Sequence, residues 1–113
     1  LMDAVIGALA LGDIGRFFPD TDPAYKDADS MKLLGRIMSD PRVAEWRVVN
    51  VDLTIVAQKP KLIGYNLSMR GNLARVLTVP LDCVSVKATT TEKLGFTGRE
   101  EGIAAMCVVL LER

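Results

Sequence analysis

Three polar stretches hold the residues whose types and spacing could do chemistry. Thr89, Thr90, Thr91 and Glu92 set three hydroxyls and one carboxylate in a row, with Lys93 and Arg99 close behind. Hard oxygens of this kind suit a divalent ion that bridges a diphosphate, and hydroxyls and cations suit phosphoryl oxygens as donors. Three β-branched residues equally suit the end of a strand. A second stretch, AQKPKLI over Ala57 to Ile63, puts a rigid proline between two lysines directly after an apolar strand pattern. Exposed backbone amides and carbonyls there could read the edge of a base, with the lysines toward phosphate; a solvated turn is the plainer alternative. The third stretch offers Asp13, Asp20 and Asp22 with a glycine at 15. Those acids could contact a ligand, or they could cap the turns of a surface loop.

What the chain lacks narrows the chemistry further. Among 113 residues there is no histidine, so no Ser-His or Cys-His nucleophilic pair can form and a His-rich zinc site cannot be completed from these residues. Fourteen Lys+Arg balance fourteen Asp+Glu. A neutral chain without a basic run lacks the electrostatic footprint of a nucleic-acid binder. The longest uncharged apolar stretches, Ala4 to Gly12 and Ile103 to Leu111, are nine residues each, too short to span a bilayer, and a soluble protein is expected. Cys83 and Cys107 lie in apolar segments without C-x-x-C spacing, which predicts two reduced core thiols in a reducing compartment.

The elements that must position the three stretches follow from periodicity. Leu1 to Leu11 reads as an amphipathic helix with Gly12 as its terminating glycine, yet it opens without a capping residue or an initiator Met. The chain therefore reads as the remainder of a longer protein. An aspartate-, glycine- and proline-rich loop then runs from Asp13 to Asp29. Ser30 is the expected cap of a second helix, Met31 to about Met38, whose inward residues are Met31, Leu34, Ile37 and Met38, with Pro41 ending it. Arg47 to Gln58 reads as a strand with Val49, Val51, Leu53 and Ile55 on one face and Asn50, Asp52 and Thr54 on the other. A helix from Asn66 to Leu77 follows, facing inward through Met69, Leu73, Val76 and Leu77, then a strand from Cys83 to Ala88. The last strand, Ile103 to Leu111, is apolar on both faces and is expected centrally in the sheet or at a subunit interface. Together these predict one α+β domain over residues 1–113, a small mixed sheet with helices on one face, and a domain small enough to favour oligomers.

LGDIGRFFPDTDP, VDLTIVAQKPKL and VKATTTEKLGFTGREEGIA together resemble the 2-C-methyl-D-erythritol 2,4-cyclodiphosphate synthase family, in unbroken order through nearly the whole chain. The resemblance implies a homotrimer whose sheets face a central axis, with an active site at each subunit boundary, in the bacterial cytoplasm or plastid stroma. It implies conversion of 4-diphosphocytidyl-2-C-methyl-D-erythritol 2-phosphate into the cyclic diphosphate, releasing CMP. By similarity, Asp13, Ile14, Gly15, Phe18, Pro19, Asp20, Thr21 and Asp22 line the methylerythritol side, and Ala57, Gln58, Lys59, Pro60, Lys61, Leu62 and Ile63 form the cytidine pocket, largely through backbone groups. Thr89, Thr90, Thr91 and Glu92 meet the diphosphate, Glu92 as ligand of a Mg or Mn ion and Thr90 polarising or positioning the phosphate; Phe96 and Arg99 complete the contacts. The family's zinc ligands, an Asp-x-His pair and a later histidine, have no counterpart among these residues, nor does a second substrate-contacting histidine. Leu62-Ile63-Gly64-Tyr65 also departs from the usual proline at the pocket rim. Two alternatives remain at this level: a non-catalytic cytidine-nucleotide-binding remnant, and the C-terminal half of a fusion with a cytidylyltransferase.

Overall fold

Apolar residues three and four apart bring three helices onto one face of a three-stranded sheet in the computed structural model, which describes residues 1–113. The element order is α1 (Met2–Ala8), α2 (Ile14–Phe17), α3 (Ser30–Ser39), α4 (Pro41–Ala44), β1 (Arg47–Val56), α5 (Asn66–Leu77), β2 (Val84–Thr89), α6 (Gly95–Gly98) and β3 (Ala104–Glu112). The sheet order is β2-β1-β3, with β1 parallel to β2 and antiparallel to β3. A parallel pair needs a crossover, and α5 supplies it. The α+β class and the mixed sheet are as expected.

The covered face is built by α1, α3 and α5. Val5 and Ile6 of α1 meet Ile37 of α3 and Val43 of α4, all fully buried. Leu34 meets Val48, Val51 and Leu77, and Ala74 meets Val84 and Val86. Each such side chain contributes about 1.5–3 kcal/mol by leaving water. No helix is long and apolar enough to cross a membrane.

Several boundaries differ from the sequence reading, each for a local reason. α1 ends at Ala8 rather than near Leu11, because Ala10 takes the left-handed conformation (φ 56°). The Leu11 amide then donates to the Ile6 carbonyl and the Ala10 amide to that of Gly7, while Leu11 packs on the core. That is a Schellman closure with alanine where glycine is usual. α5 closes in the same way, with Thr78 left-handed and the Val79 amide on Ala74. Asp29, not Ser30, caps α3, accepting from the Met31 amide at 2.9 Å. Pro41 does end α3, and it also opens α4 with Asp40 as cap.

In β1 a bulge between Val48 and Asn50 resets the alternation, so Val48 rather than Val49 is buried beside Val51. β3 is an edge strand, which corrects the expectation of a central one. Its inward residues, Cys107, Val109 and Leu111, pack on the core, while Met106, Val108 and Leu110 are 62%, 73% and 54% exposed on the uncovered face. Beside them on that face Lys87 pairs with Asp52 at 2.8 Å across the parallel strands, holding the Asp52 carboxyl below its usual range. Both cysteines are free, but neither is fully buried: each is half-covered, and burial pushes the Cys107 thiol up.

Candidate functional site

The carboxyl ends of parallel strands leave a crevice where the chain must turn away, and ligands commonly bind there. Here that crevice lies at the ends of β1 and β2. The Ala57 amide donates to the Thr89 carbonyl at 3.0 Å, carrying the ladder one step past β1, and Ala57 itself is buried. Beyond it the 57–63 loop folds over through a cis Lys59–Pro60 peptide. A cavity of about 260 Å³ opens between this loop and the strand ends. Ala57, Gln58, Pro60, Lys61, Leu62 and Ile63 form one wall, and Ala88, Thr89 and Thr90 form the other. Lys59 points elsewhere, its ammonium 3.7 Å from the Glu100 carboxylate.

Two residues of α5 that periodicity did not single out steady the second wall. Asn66 donates through its side-chain amide to the Val86 carbonyl at 2.6 Å, and the Arg70 guanidinium donates to the carbonyls of Val84 and Leu81 at 2.7 and 3.1 Å. They occupy acceptors along the free edge of β2, which holds the strand that leads into Thr89.

After Thr89 the chain makes a tight turn that carries Glu92. The Thr90 hydroxyl accepts from the Glu92 amide at 3.2 Å, and the Thr91 hydroxyl donates to the Leu94 carbonyl at 2.5 Å and lies 3.0 Å from the buried Thr97 hydroxyl. Glu92 and Lys93 are both left-handed, at φ 53° and 69°. Each costs on the order of 1–2 kcal/mol for a residue with a Cβ. The structure over-determines them: the Lys93 amide donates to Gln58 Oε1 at 3.1 Å, and Gly98 of α6 lies so close beneath that a Cβ there would meet the Lys93 carbonyl carbon at 2.2 Å. Only glycine fits. The turn thus presents Thr89, Thr90 and Glu92 outward, while the Thr91 hydroxyl is spent inside it. Phe96 stands half-exposed on α6, and Arg99 is paired with Glu101.

The third stretch lies elsewhere in the chain. Asp13 caps α2 by accepting from the Arg16 amide at 3.2 Å, and Asp22 caps the turn at Pro23–Tyr25 by accepting from Ala24 at 2.9 Å. Both acids thus serve local turns. Asp3 of α1, unmarked by any motif, accepts from the Ile14 amide at 3.0 Å and ties the loop to its helix. Gly15 is exposed and open beside Asp13. Phe18 packs edge-on against Tyr25 and against the first core cluster, on the β3 side near Val109 and Leu111. Pro19 and Asp20 to Asp22 are exposed, and Asp20 and Thr21 border a shallow depression with Pro23 and Tyr25. The cavity at the strand ends is lined by no residue of this loop.

The chain holds no group of three His, Cys, Asp or Glu placed to bind a metal. A tetrahedral zinc site does not fit these residues. An octahedral Mg or Mn ion asks less of the protein, since one carboxylate with substrate phosphates and water completes its shell. Glu92, exposed two positions after Thr90, carries the single carboxylate such a role needs.

Comparison with known proteins agrees with this geometry. A curated relative from Thioalkalivibrio sulfidiphilus named 2-C-methyl-D-erythritol 2,4-cyclodiphosphate synthase is 62% identical over 112 residues, covering 99% of this chain and 70% of its own length. Among solved structures, the bifunctional IspDF of Campylobacter jejuni superposes with a TM-score of 0.92 at 45% identity, over 98% of this chain and 30% of that one. A CDP-bound 2C-methyl-D-erythritol-2,4-cyclodiphosphate synthase gives 0.86 at 30% identity, over 98% and 71%. With a family model also matching residues 1–112, the chain belongs to the YgbB family, whose matched relatives carry the cyclodiphosphate synthase name.

Proposed function

We propose that this chain supplies the nucleotide pocket and the diphosphate-binding turn of a cyclase that converts 4-diphosphocytidyl-2-C-methyl-D-erythritol 2-phosphate into 2-C-methyl-D-erythritol 2,4-cyclodiphosphate and CMP. One observation carries the reading: a single cavity is walled by the backbone-rich 57–63 loop on one side and by Thr89 and Thr90 on the other, with Glu92 held beside it. A base against the loop directs its phosphates toward the threonines.

The chemistry asks for no protein base. An oxygen of the substrate's own 2-phosphate, anionic at neutral pH, forms the new bond to the β-phosphorus. The bond from that phosphorus to the oxygen bridging it to CMP breaks, and CMP leaves with the electron pair. Such a transfer is accelerated chiefly by holding the two phosphates in line and by spreading charge on the transferring group. The Thr90 hydroxyl is placed to donate to a phosphoryl oxygen, and Lys61 lines the cavity as a cation. When bound, a Mg or Mn ion on Glu92 supplies Lewis-acid charge stabilisation at the diphosphate.

Position within the sheet supports assembly. The Asp13–Asp22 loop does not line the cavity at the strand ends, so a second copy is the proposed source of the loop that completes each site. The apolar row Met106, Val108 and Leu110 on the uncovered face gives those copies a surface to share, in line with a homotrimer. The bifunctional Campylobacter jejuni structure, 30% of which this chain covers, fits the further reading of the chain as one half of a fusion.

The test is CMP release from the diphosphocytidyl substrate by the intact protein with Mg, beside Glu92→Gln. That variant is expected to turn over about 100-fold more slowly with its CDP affinity largely kept. Unchanged rates would remove Glu92 from the mechanism. CDP binding without turnover by the wild type would favour a non-catalytic nucleotide module.

A further inference from the structure

The two walls of the cavity come from segments far apart in the chain, and beyond the Ala57–Thr89 ladder bond a side-chain hydrogen bond ties the 57–63 loop to the turn that follows Thr90. Gln58 Oε1 accepts from the Lys93 amide at 3.1 Å, a contact across 35 positions. Gln58 is the first residue of the 57–63 loop beyond the ladder, and its backbone is fixed by the preceding Ala57–Thr89 bond. Lys93 is the second of the two left-handed residues, and its amide belongs to the peptide unit that begins at Glu92. An acceptor on that amide therefore fixes the plane of the peptide attached to the Glu92 Cα. With the Thr90 hydroxyl on the preceding amide, both peptide planes flanking Glu92 are held. The nearby Lys59–Glu100 pair, longer and exposed at both ends, fixes much less.

We infer that Gln58 is a positioning residue: its side chain sets the direction of the Glu92 carboxylate and makes the base-reading loop and the metal-facing turn one mechanical unit. The inference rests on the functional reading above for its kinetic consequence, but the tie itself stands on geometry alone. A base seated against the 57–63 loop therefore bears on the same unit that carries the Glu92 carboxylate.

The experiment compares Gln58→Met, which keeps the length and removes the acceptor, with Gln58→Glu, which keeps an acceptor, in the intact protein. Amide hydrogen exchange at Lys93 is expected to quicken about tenfold in Gln58→Met and to stay near wild type in Gln58→Glu, while β1 amides are unchanged in both. Turnover number with Mn is expected to fall about three- to tenfold in Gln58→Met with CDP affinity within about twofold, and to recover in Gln58→Glu. Unchanged Lys93 exchange in Gln58→Met would overturn the tie. A CDP affinity that falls by the same factor as turnover would assign Gln58 to base binding and overturn the positioning role. No CMP release from the wild type would overturn the functional reading, and Lys93 exchange would still decide the tie.

Discussion

Gly98→Ala isolates the packing beneath the Glu92 turn. Gly98 closes the short helix α6 and is buried, and its backbone is ordinary helix, so alanine meets no dihedral penalty. Helix propensity alone would make the change favourable by about 1 kcal/mol. Contact reverses the sign. The new Cβ would stand 2.2 Å from the Lys93 carbonyl carbon, 2.7 Å from its Cα and 2.9 Å from its oxygen, all backbone atoms. Restoring an ordinary contact of 3.4 Å moves that backbone by about 1.2 Å. Overpacking of this kind costs about 1–3 kcal/mol, or roughly 4–12 °C in Tm for a domain of this size. A shift of that length in a group that aims at a reacting phosphate lowers turnover by about 100-fold. Gly71→Ala is the control: it lies in the middle of α5 with nothing within 4 Å of the added atom, and should gain about 0.4–1 kcal/mol. Thermal melts and CMP release read both variants. A Gly98→Ala protein that melts at or above wild type and keeps its rate would refute the packing argument.

Two further outcomes follow from surface groups. Hydrogen bonds from the Arg42 side chain and backbone amide lower Asp40 from its ordinary 3.8 to about 2. Because the folded-state value is depressed, its stabilisation is complete above about pH 4 and is lost as the pH falls through 2; Asp40→Asn should flatten acid unfolding in that window, and a carboxyl NMR titration of Asp40 with an ordinary midpoint would contradict it. Val108→Asp places a charge on a side chain already 73% exposed in one protomer, so the fold by circular dichroism should persist while sedimentation shows the proposed trimer shifted to smaller species; an unaltered assembly would remove the β3 row from the proposed interface.

Elements whose residues face one consistent environment were readable in advance. α5 spans Asn66–Leu77 as the period predicts, because its inward side chains recur at helical spacing over three turns. β1 was readable as a strand but not in its first residues, since a bulge that shifts Val48 inward leaves no mark in an alternating pattern. The end of α1 left no mark because Ala10 adopts a conformation that composition assigns to glycine. At the site, the three polar stretches were visible as clusters of functional groups. Their arrangement was not: the Gln58 bond to Lys93, the fit of Gly98 under the turn and the inward Thr91 hydroxyl are non-local contacts between segments without period. Asp3, Asn66 and Arg70 were passed over because each is one polar residue on an amphipathic helix, indistinguishable from a solvated one until its backbone partner is known.

The tie between residues 58 and 93 also dates the site in the history of the folding chain. Helical turns close over a few positions, whereas this contact waits until α5 has carried the chain back alongside β1 and the loop-closure entropy of that excursion has been met. The cavity is therefore complete only once the β1-α5-β2 unit has closed, and partial opening of that unit parts its two walls.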